Sequence, residues 1–449
     1  MRSIKELKEP RIVIEPPGSK AKEIVERDKK VLMTTTKILP VVGVRGEGCF
    51  VEDIDGNIFM DFSSAIAVMS TGYSHPRIVE AVKKQAEKLI HFAAQDYYNE
   101  RQVELAEKIV ELSPEQMKPV KVFLSNSGTE SVEAAYKMVR RSTRKPLAIA
   151  FIGAFHGRTL GSLSLTGSKA VHRAKYQPLQ PVIHAPYAYC YRCRFKLEYP
   201  SCGVWCAKYI EEVLLDSIAP PEDVAFIILE PVQGEGGYIV GPKEFYREIR
   251  RICDKYDIAL IDDEVQAGVF RTGKFLAIEN FDVTPDLYTL AKAIASGLPM
   301  GVTVAREKYM FKEEGAHSNT FGGNLLSCVA AIETLNVILE EKLHENAVKV
   351  GEEIMKIGRE WVENYEIVGD VRGLGPMIGV EIVKDKKTKD YAPEIRKKII
   401  EKSFKKGLIL LPCGKSTIRI APPLNITAEQ ARKGMEIMEE AIKEVMRSM

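Results

Sequence analysis

The chain has 449 residues, too many for one hydrophobic core, so two domains, or one large α/β domain with a satellite, are expected. Apolar residues make up 45% and charged residues 28%, and a formal net charge of +2 excludes the electrostatic footprint of a nucleic-acid or anionic-membrane binder. The N-terminal ten residues lack the apolar core of a signal peptide and no apolar run reaches bilayer length, which sets the expectation of a cytoplasmic protein.

Residues 1–45 read as an irregular arm, with Pro-rich pieces on either side of a short helix near 21–31. Asp55-Gly56 between alternating apolar residues predicts a β-hairpin over 48–62. A loop of small residues follows to Pro76, then helices near 76–89 and 99–112. Strands and helices next alternate, the signature of a mostly parallel sheet, with strands predicted at 120–124, 147–151, 225–229, 259–262 and 287–290. After Cys328 the pattern is helical (325–340 and 343–363). It then turns to short strands at 379–383 and 417–420 around a helix at 393–406, and ends on a helix at 427–447. The expected organisation is an N-terminal arm and hairpin over 1–75, a large domain over 76–325, and a smaller α+β domain over 326–449.

Chemistry-bearing residues gather just past the predicted strands, where open parallel sheets bind ligands. Ser125-Asn-Ser127-Gly128-Thr129-Glu130 opens a helix, and a helix N-terminus offers N–H groups and a positive dipole end to a phosphate. Gly153-Ala-Phe155-His156-Gly157-Arg158 puts an aromatic ring and an arginine at the same rim. Glu230 caps one apolar strand and Asp262-Asp263-Glu264 another, and buried carboxylates need partners. Lys292 ends the last run, where partial burial would lower its amine's pKa and make it a nucleophile and base. Taken singly, Lys292 could snorkel to water, Ser127 could be an ordinary helix cap, and the acids could be solvated loop residues. Five such coincidences at five strand ends explain the pattern poorly. Pyridoxal phosphate needs an amine, a phosphate cradle, an acid for the pyridine nitrogen and a ring on its face, and Lys292, Ser127 to Thr129, Asp263 and Phe155 offer one each.

Motifs in one order from about residue 45 to the C-terminus give the chain a family likeness. They are Gly72-Tyr-Ser-His75-Pro, Ser125-Asn-Ser-Gly-Thr-Glu, Phe155-His-Gly-Arg-Thr, Glu230-Pro-Val-Gln-Gly-Glu-Gly-Gly, Asp263-Glu-Val-Gln-Ala-Gly, Leu290-Ala-Lys292, Asn319-Thr-Phe-Gly-Gly-Asn and Ile418-Arg419-Ile-Ala-Pro-Pro. Carrying them, the chain resembles the class III (ω-amino acid) pyridoxal-phosphate aminotransferases, of the 4-aminobutyrate and ornithine aminotransferase kind. The resemblance implies fold type I: a large domain with a mostly parallel central sheet flanked by helices, plus a smaller C-terminal domain. It also implies a homodimer with active sites at the subunit interface.

By the same resemblance, Lys292 forms the Schiff base and later carries the proton, while Asp263 partners the pyridinium N–H. Phe155 stacks on one ring face and Val265 packs on the other; Gln266 bonds the ring hydroxyl, and His156 is a hydrogen-bonder of the site. Gly128 and Thr129 hold the phosphate beside Ser127, and Thr320 resembles the phosphate ligand given by the other subunit. Arg419 resembles the clamp on a substrate α-carboxylate, Glu230 the acid that neutralises it, and Arg158 a second carboxylate clamp. That set suits 2-oxoglutarate as acceptor. Ile66 falls where the 4-aminobutyrate branch has isoleucine and the ornithine branch typically has an aromatic hydroxyl. The expectation is transamination of 4-aminobutyrate or a broad range of ω-amines, with ornithine transamination and amino-acid racemisation, which some members perform, as alternatives.

Four of the eight cysteines, Cys190, Cys193, Cys202 and Cys206, lie in one insert at 186–207 with CxxC and CxxxC spacings. Structural zinc, disulfides of a thermophile and free structural thiols all fit that spacing. Abundant Lys and Glu on helical faces also suit a thermophile. No His-rich spacing supports a metal at the active site.

Overall fold

The computed structural model describes residues 3–449, which form two compact units, one of residues 77–341 and one of residues 3–76 with 342–449. The first unit is built on a seven-stranded sheet. Its spatial order is Val120–Ser125, Gly301–Arg306, Leu287–Leu290, Ala259–Asp263, Val224–Leu229, Leu147–Phe151 and Val182–Ala185. The last five run parallel, and Gly301–Arg306 lies antiparallel to both of its neighbours. All five predicted strands are present. The edge strand Val182–Ala185 and the antiparallel Gly301–Arg306 add to them.

The strand composition follows from burial on both faces. Every side chain of Val224–Leu229 and of Leu287–Leu290 is buried, so these strands are near-continuous apolar runs. Helix Gly128–Thr143 covers one face: Val132, Ala135 and Val139, at helical spacing, pack with Phe226, Ile228, Ile261 and Leu287. Helix Lys243–Tyr256 buries Phe245, Tyr246, Ile249, Ile252 and Cys253 along one stripe, and its Phe245 ring meets Phe151 edge-on at 5.6 Å. Burial of each large apolar side chain stabilises by roughly 1.5–3 kcal/mol.

The second unit holds two four-stranded sheets. One places Gly43–Glu47, Phe50–Asp53 and Ile58–Asp61 side by side, with Leu408–Ile409 parallel to the last. The predicted Asp55-Gly56 turn joins two of these strands, and Gly56 takes φ 88°, which glycine adopts without a Cβ clash. The other sheet is Val368–Leu374, Met377–Ile382, Thr417–Ile420 and Leu411–Cys413, antiparallel throughout. The closing helix Ala428–Arg447 starts on a Thr427–Gln430 capping box and buries Met435 and Met438. No helix among the described residues is long and apolar enough to cross a membrane.

The four insert cysteines line one pocket together with Tyr187, Phe195, Tyr199 and Trp205. All are free thiols, and among the described residues no group of three or more His, Cys, Asp or Glu is arranged to hold a metal ion. Burial, then the neighbouring thiols, push Cys206 up to about 12. Replacing Cys190 and Cys193 by Ser is expected to lower the melting temperature by several degrees while changing kcat less than about twofold, since the pair packs an insert. An unchanged melting curve with a sharply reduced rate would instead put the insert in the active site.

Candidate active site

In the first unit the predicted residues converge at the carboxyl ends of the parallel strands. Ser127 caps helix Gly128–Thr143, its hydroxyl accepting from the Glu130 N–H at 3.4 Å. A Cβ on Gly128 would stand 2.7 Å from Val265 Cγ1, so only glycine lets this helix start lie against Val265. Thr129 Oγ1 bonds Ser162 Oγ at 2.6 Å and accepts from the Arg158 N–H at 3.2 Å, which ties the turn to the 157–162 loop. Ser131 Oγ donates to the Leu290 carbonyl at 3.3 Å, joining the helix start to the strand that leads to Lys292.

Asp263 is buried and fixed by three donors. Its Oδ2 lies 2.6 Å from His156 Nδ1, and Oδ1 accepts from the Val265 N–H at 3.1 Å and the Thr289 hydroxyl at 3.2 Å. The His156 N–H in turn donates to Thr166 Oγ1 at 3.0 Å. Thr166 and Thr289 are supporting residues that sequence patterns did not single out, because one hydroxyl in a strand or loop carries no local signal. Arg158 lies over the Phe155 ring, its guanidinium carbon 5.5 Å from the centroid, and His172 meets that ring edge-on at 5.6 Å.

Both oxygens of Glu230 are engaged by backbone: Oε1 accepts from the Phe155 N–H at 2.8 Å and Oε2 from the Gly234 N–H at 2.9 Å. Burial, foremost, and the Asp263 carboxylate push Glu230 up to about 7, against the pull of His156 and the two amides. Burial and Glu264 likewise hold Asp262 well above the usual carboxylate range, and burial raises Glu264 to about 7. A raised folded-state pKa favours the fold while the group is protonated, and that advantage is lost as pH rises from about 4.5 through about 7. The difference in melting temperature, Glu264→Gln minus wild type, should therefore grow between pH 5 and pH 8. A difference independent of pH would show that Glu264 is not titrating there.

Lys292 opens a 3-10 turn just past the buried strand Leu287–Leu290, half-buried and at φ 47°, a left-handed conformation that lysine rarely takes. Thr320 is exposed. Its neighbour Asn319 donates to the Leu124 carbonyl at 3.0 Å, tethering the segment to another strand end.

In the second unit Arg419 is buried in strand Thr417–Ile420, opposite Gly379 and Leu411. Ile66 lies in a turn in which Ser64, Ala65, Ile66 and Ala67 take φ of 42°, 52°, 67° and 59°. Such left-handed conformations cost roughly 1–2 kcal/mol per residue, and a β-branched residue there is a true outlier. No glycine marks this turn, so no residue type announces it.

A central, mostly parallel sheet with a lysine and a buried acid at its strand ends is that of the pyridoxal-phosphate transaminases. The chain belongs to the class-III aminotransferase family, whose model matches residues 33–442. It is 42% identical over 446 residues to an alanine/serine racemase of Pyrococcus horikoshii, covering 97% of this chain and 93% of that protein. It is 36% identical to a 4-aminobutyrate aminotransferase of Escherichia coli, covering 94% and 98%. Among solved structures, a thermostable (S)-enantioselective ω-transaminase of Thermomicrobium roseum superposes with TM-score 0.88 at 28% identity, covering 95% and 99%. The family depends on pyridoxal phosphate, and an amine transaminase from an uncultivated Pseudomonas species, 28% identical with TM-score 0.86 and 96% and 98% coverage, is described in its pyridoxal-phosphate-bound form.

The residues fit that cofactor. Gln266 is buried with its side-chain oxygen lacking a hydrogen-bond partner, and His156 Nε2 likewise lacks one.

Proposed function

We propose that the protein transfers the amino group of an ω-amino acid, 4-aminobutyrate or a broad range of related ω-amines, to 2-oxoglutarate. Pyridoxal phosphate supplies the electron sink for bond breaking at the amino-bearing carbon. Lys292 bonds the cofactor and then takes and returns the proton at that carbon. Asp263, held by His156, Val265 and Thr289, keeps the ring nitrogen protonated. Ser127, Gly128 and Thr129 hold the phosphate at the helix start, joined by the partner's copy of Thr320. Phe155 and Val265 flank the ring and Gln266 meets its hydroxyl. Arg158 and Arg419 bind substrate carboxylates, Glu230 balances charge when one is absent, and Ile66 lines the donor's path.

The observation that carries this reading is the Asp263 carboxylate, buried and fixed by three donors within the cluster that holds Phe155, Glu230 and the helix start. A homodimer is part of it. Exposed aromatic side chains at Phe92, Tyr97, Tyr98 and Phe321, with Tyr98 97% exposed, form surface suited to a second copy beside Thr320.

Racemisation is the second reading, favoured by the 42% identity to the alanine/serine racemase against 40% to a 5-aminovalerate aminotransferase of Pseudomonas putida. Ornithine transamination is a narrower variant of the first. Single amino acids incubated with and without 2-oxoglutarate separate them. Glutamate formed from an ω-amino donor supports transamination; D-isomer formed without any acceptor, and no glutamate, supports racemisation.

A further inference from the structure

The left-handed turn around Ile66 is held in place from one side by a single carboxylate. Asp61 ends strand Ile58–Asp61 and is buried. Its Oδ1 accepts from the Ser63 N–H at 2.6 Å and the Ser63 hydroxyl at 2.7 Å. Its Oδ2 accepts from the Ala65 N–H at 3.2 Å and the Tyr73 hydroxyl at 2.6 Å. Two of these donors are backbone groups at the entry to the turn, and the turn closes on itself through Ala67 N–H to the Ser63 carbonyl at 2.9 Å and Val68 N–H to the Ser64 carbonyl at 2.8 Å. From the other side the Ser64 hydroxyl donates to the Ala421 carbonyl at 2.6 Å, and the Ala421 N–H donates to the Phe62 carbonyl at 2.7 Å.

Ala421 is the second residue after Arg419. The turn that presents Ile66, 43% exposed between buried Ser64 and Ala67, is thus pinned to the strand that carries the carboxylate clamp. Strained backbone persists only where its surroundings over-determine it, and here four donors on one carboxylate do so. Resting on the reading of Ile66 and Arg419 as substrate-facing, we propose that Asp61 is a positioning residue for substrate selection, holding the Ser64–Ala67 turn so that Ile66 and Arg419 keep a fixed spacing. It touches no substrate. It acts through Ser63, Ala65 and Tyr73.

The test compares holoenzyme variants on a panel of unbranched α- and ω-amino acids of two to six carbons, measuring KM and kcat for each. Asp61→Asn leaves the shape but replaces one acceptor oxygen by a donor facing donors. It should raise KM by about fivefold or more for some donors, change kcat much less, and reorder the panel in the direction that Ile66→Ala reorders it. Adding Ala65→Gly should return the order towards wild type, because glycine takes a positive φ freely and the turn then needs less support. Tyr73→Phe, which removes one hydrogen bond and leaves the carboxylate, should shift the order the same way by a smaller factor, and serves if Asp61→Asn fails to fold. If Ile66→Ala reorders the panel and neither Asp61→Asn nor Tyr73→Phe does, the positioning role is wrong. A uniform fall in kcat for every donor, with no rescue by Ala65→Gly, also overturns it, since that is what a merely structural residue gives. No effect of Ile66→Ala on any donor overturns the substrate-facing reading itself, and the inference falls with it.

Discussion

Lys292→Ala is expected to abolish turnover and the cofactor's yellow colour together. The amine follows a fully buried strand and leads into a turn at φ 47°, a strained backbone position held by its surroundings. Removing a group proposed both to bond the cofactor and to move the proton should lower kcat by about 10⁴-fold or more. A lysine that merely snorkels to solvent would cost little on replacement, so wild-type rates with the colour retained would refute the assignment.

Glu230→Gln should discriminate between donors. The half-reaction with 4-aminobutyrate or ornithine brings no α-carboxylate to the reacting carbon, so under the proposed reading the negative charge of Glu230 takes that carboxylate's place on Arg419. For Glu230 to neutralise it, the carboxylate must release the Phe155 and Gly234 N–H groups, each worth roughly 1.5–3 kcal/mol as a bond to a charged acceptor. Single-turnover spectra should show the ω-amino half-reaction slowed by about tenfold or more, about 1.4 kcal/mol, and the glutamate half-reaction unchanged or faster. Equal slowing of both would mean that Glu230 serves to hold Phe155 and Gly234. Because burial raises Glu230 to about 7, the neutralising anion is lost as pH falls through that value. Wild-type ω-donor rates should fall towards those of the variant by pH 6, while the variant's own rates stay flat.

Five of the seven strands of the large sheet were legible because each is an apolar run that stops on a residue with chemistry: Ser127 after one, Glu230 and Asp263 after two others. Gly301–Arg306 was hidden because its sequence continues a Gly-Leu-Pro-Met-Gly turn, and only the ladder shows it running antiparallel between Val120–Ser125 and Leu287–Leu290. Val182–Ala185 is a four-residue edge strand after a long irregular stretch, with one neighbour and little periodicity. At the site, residue types announced the acid, the amine and the helix start. The supports did not announce themselves: Thr166, Thr289 and the Asp61-held turn act through contacts distant in sequence. Ala65 and Ile66 carry no trace of the left-handed backbone they adopt.

The central claim is that Lys292 is the residue that bonds pyridoxal phosphate. Borohydride reduction of the purified holoenzyme, followed by proteolysis and mass mapping, tests it directly. The account predicts one pyridoxyl-phosphate adduct per chain, on the peptide containing Lys292, with loss of the visible absorbance band. An adduct on a different lysine, or a bleached protein carrying no adduct, would contradict it.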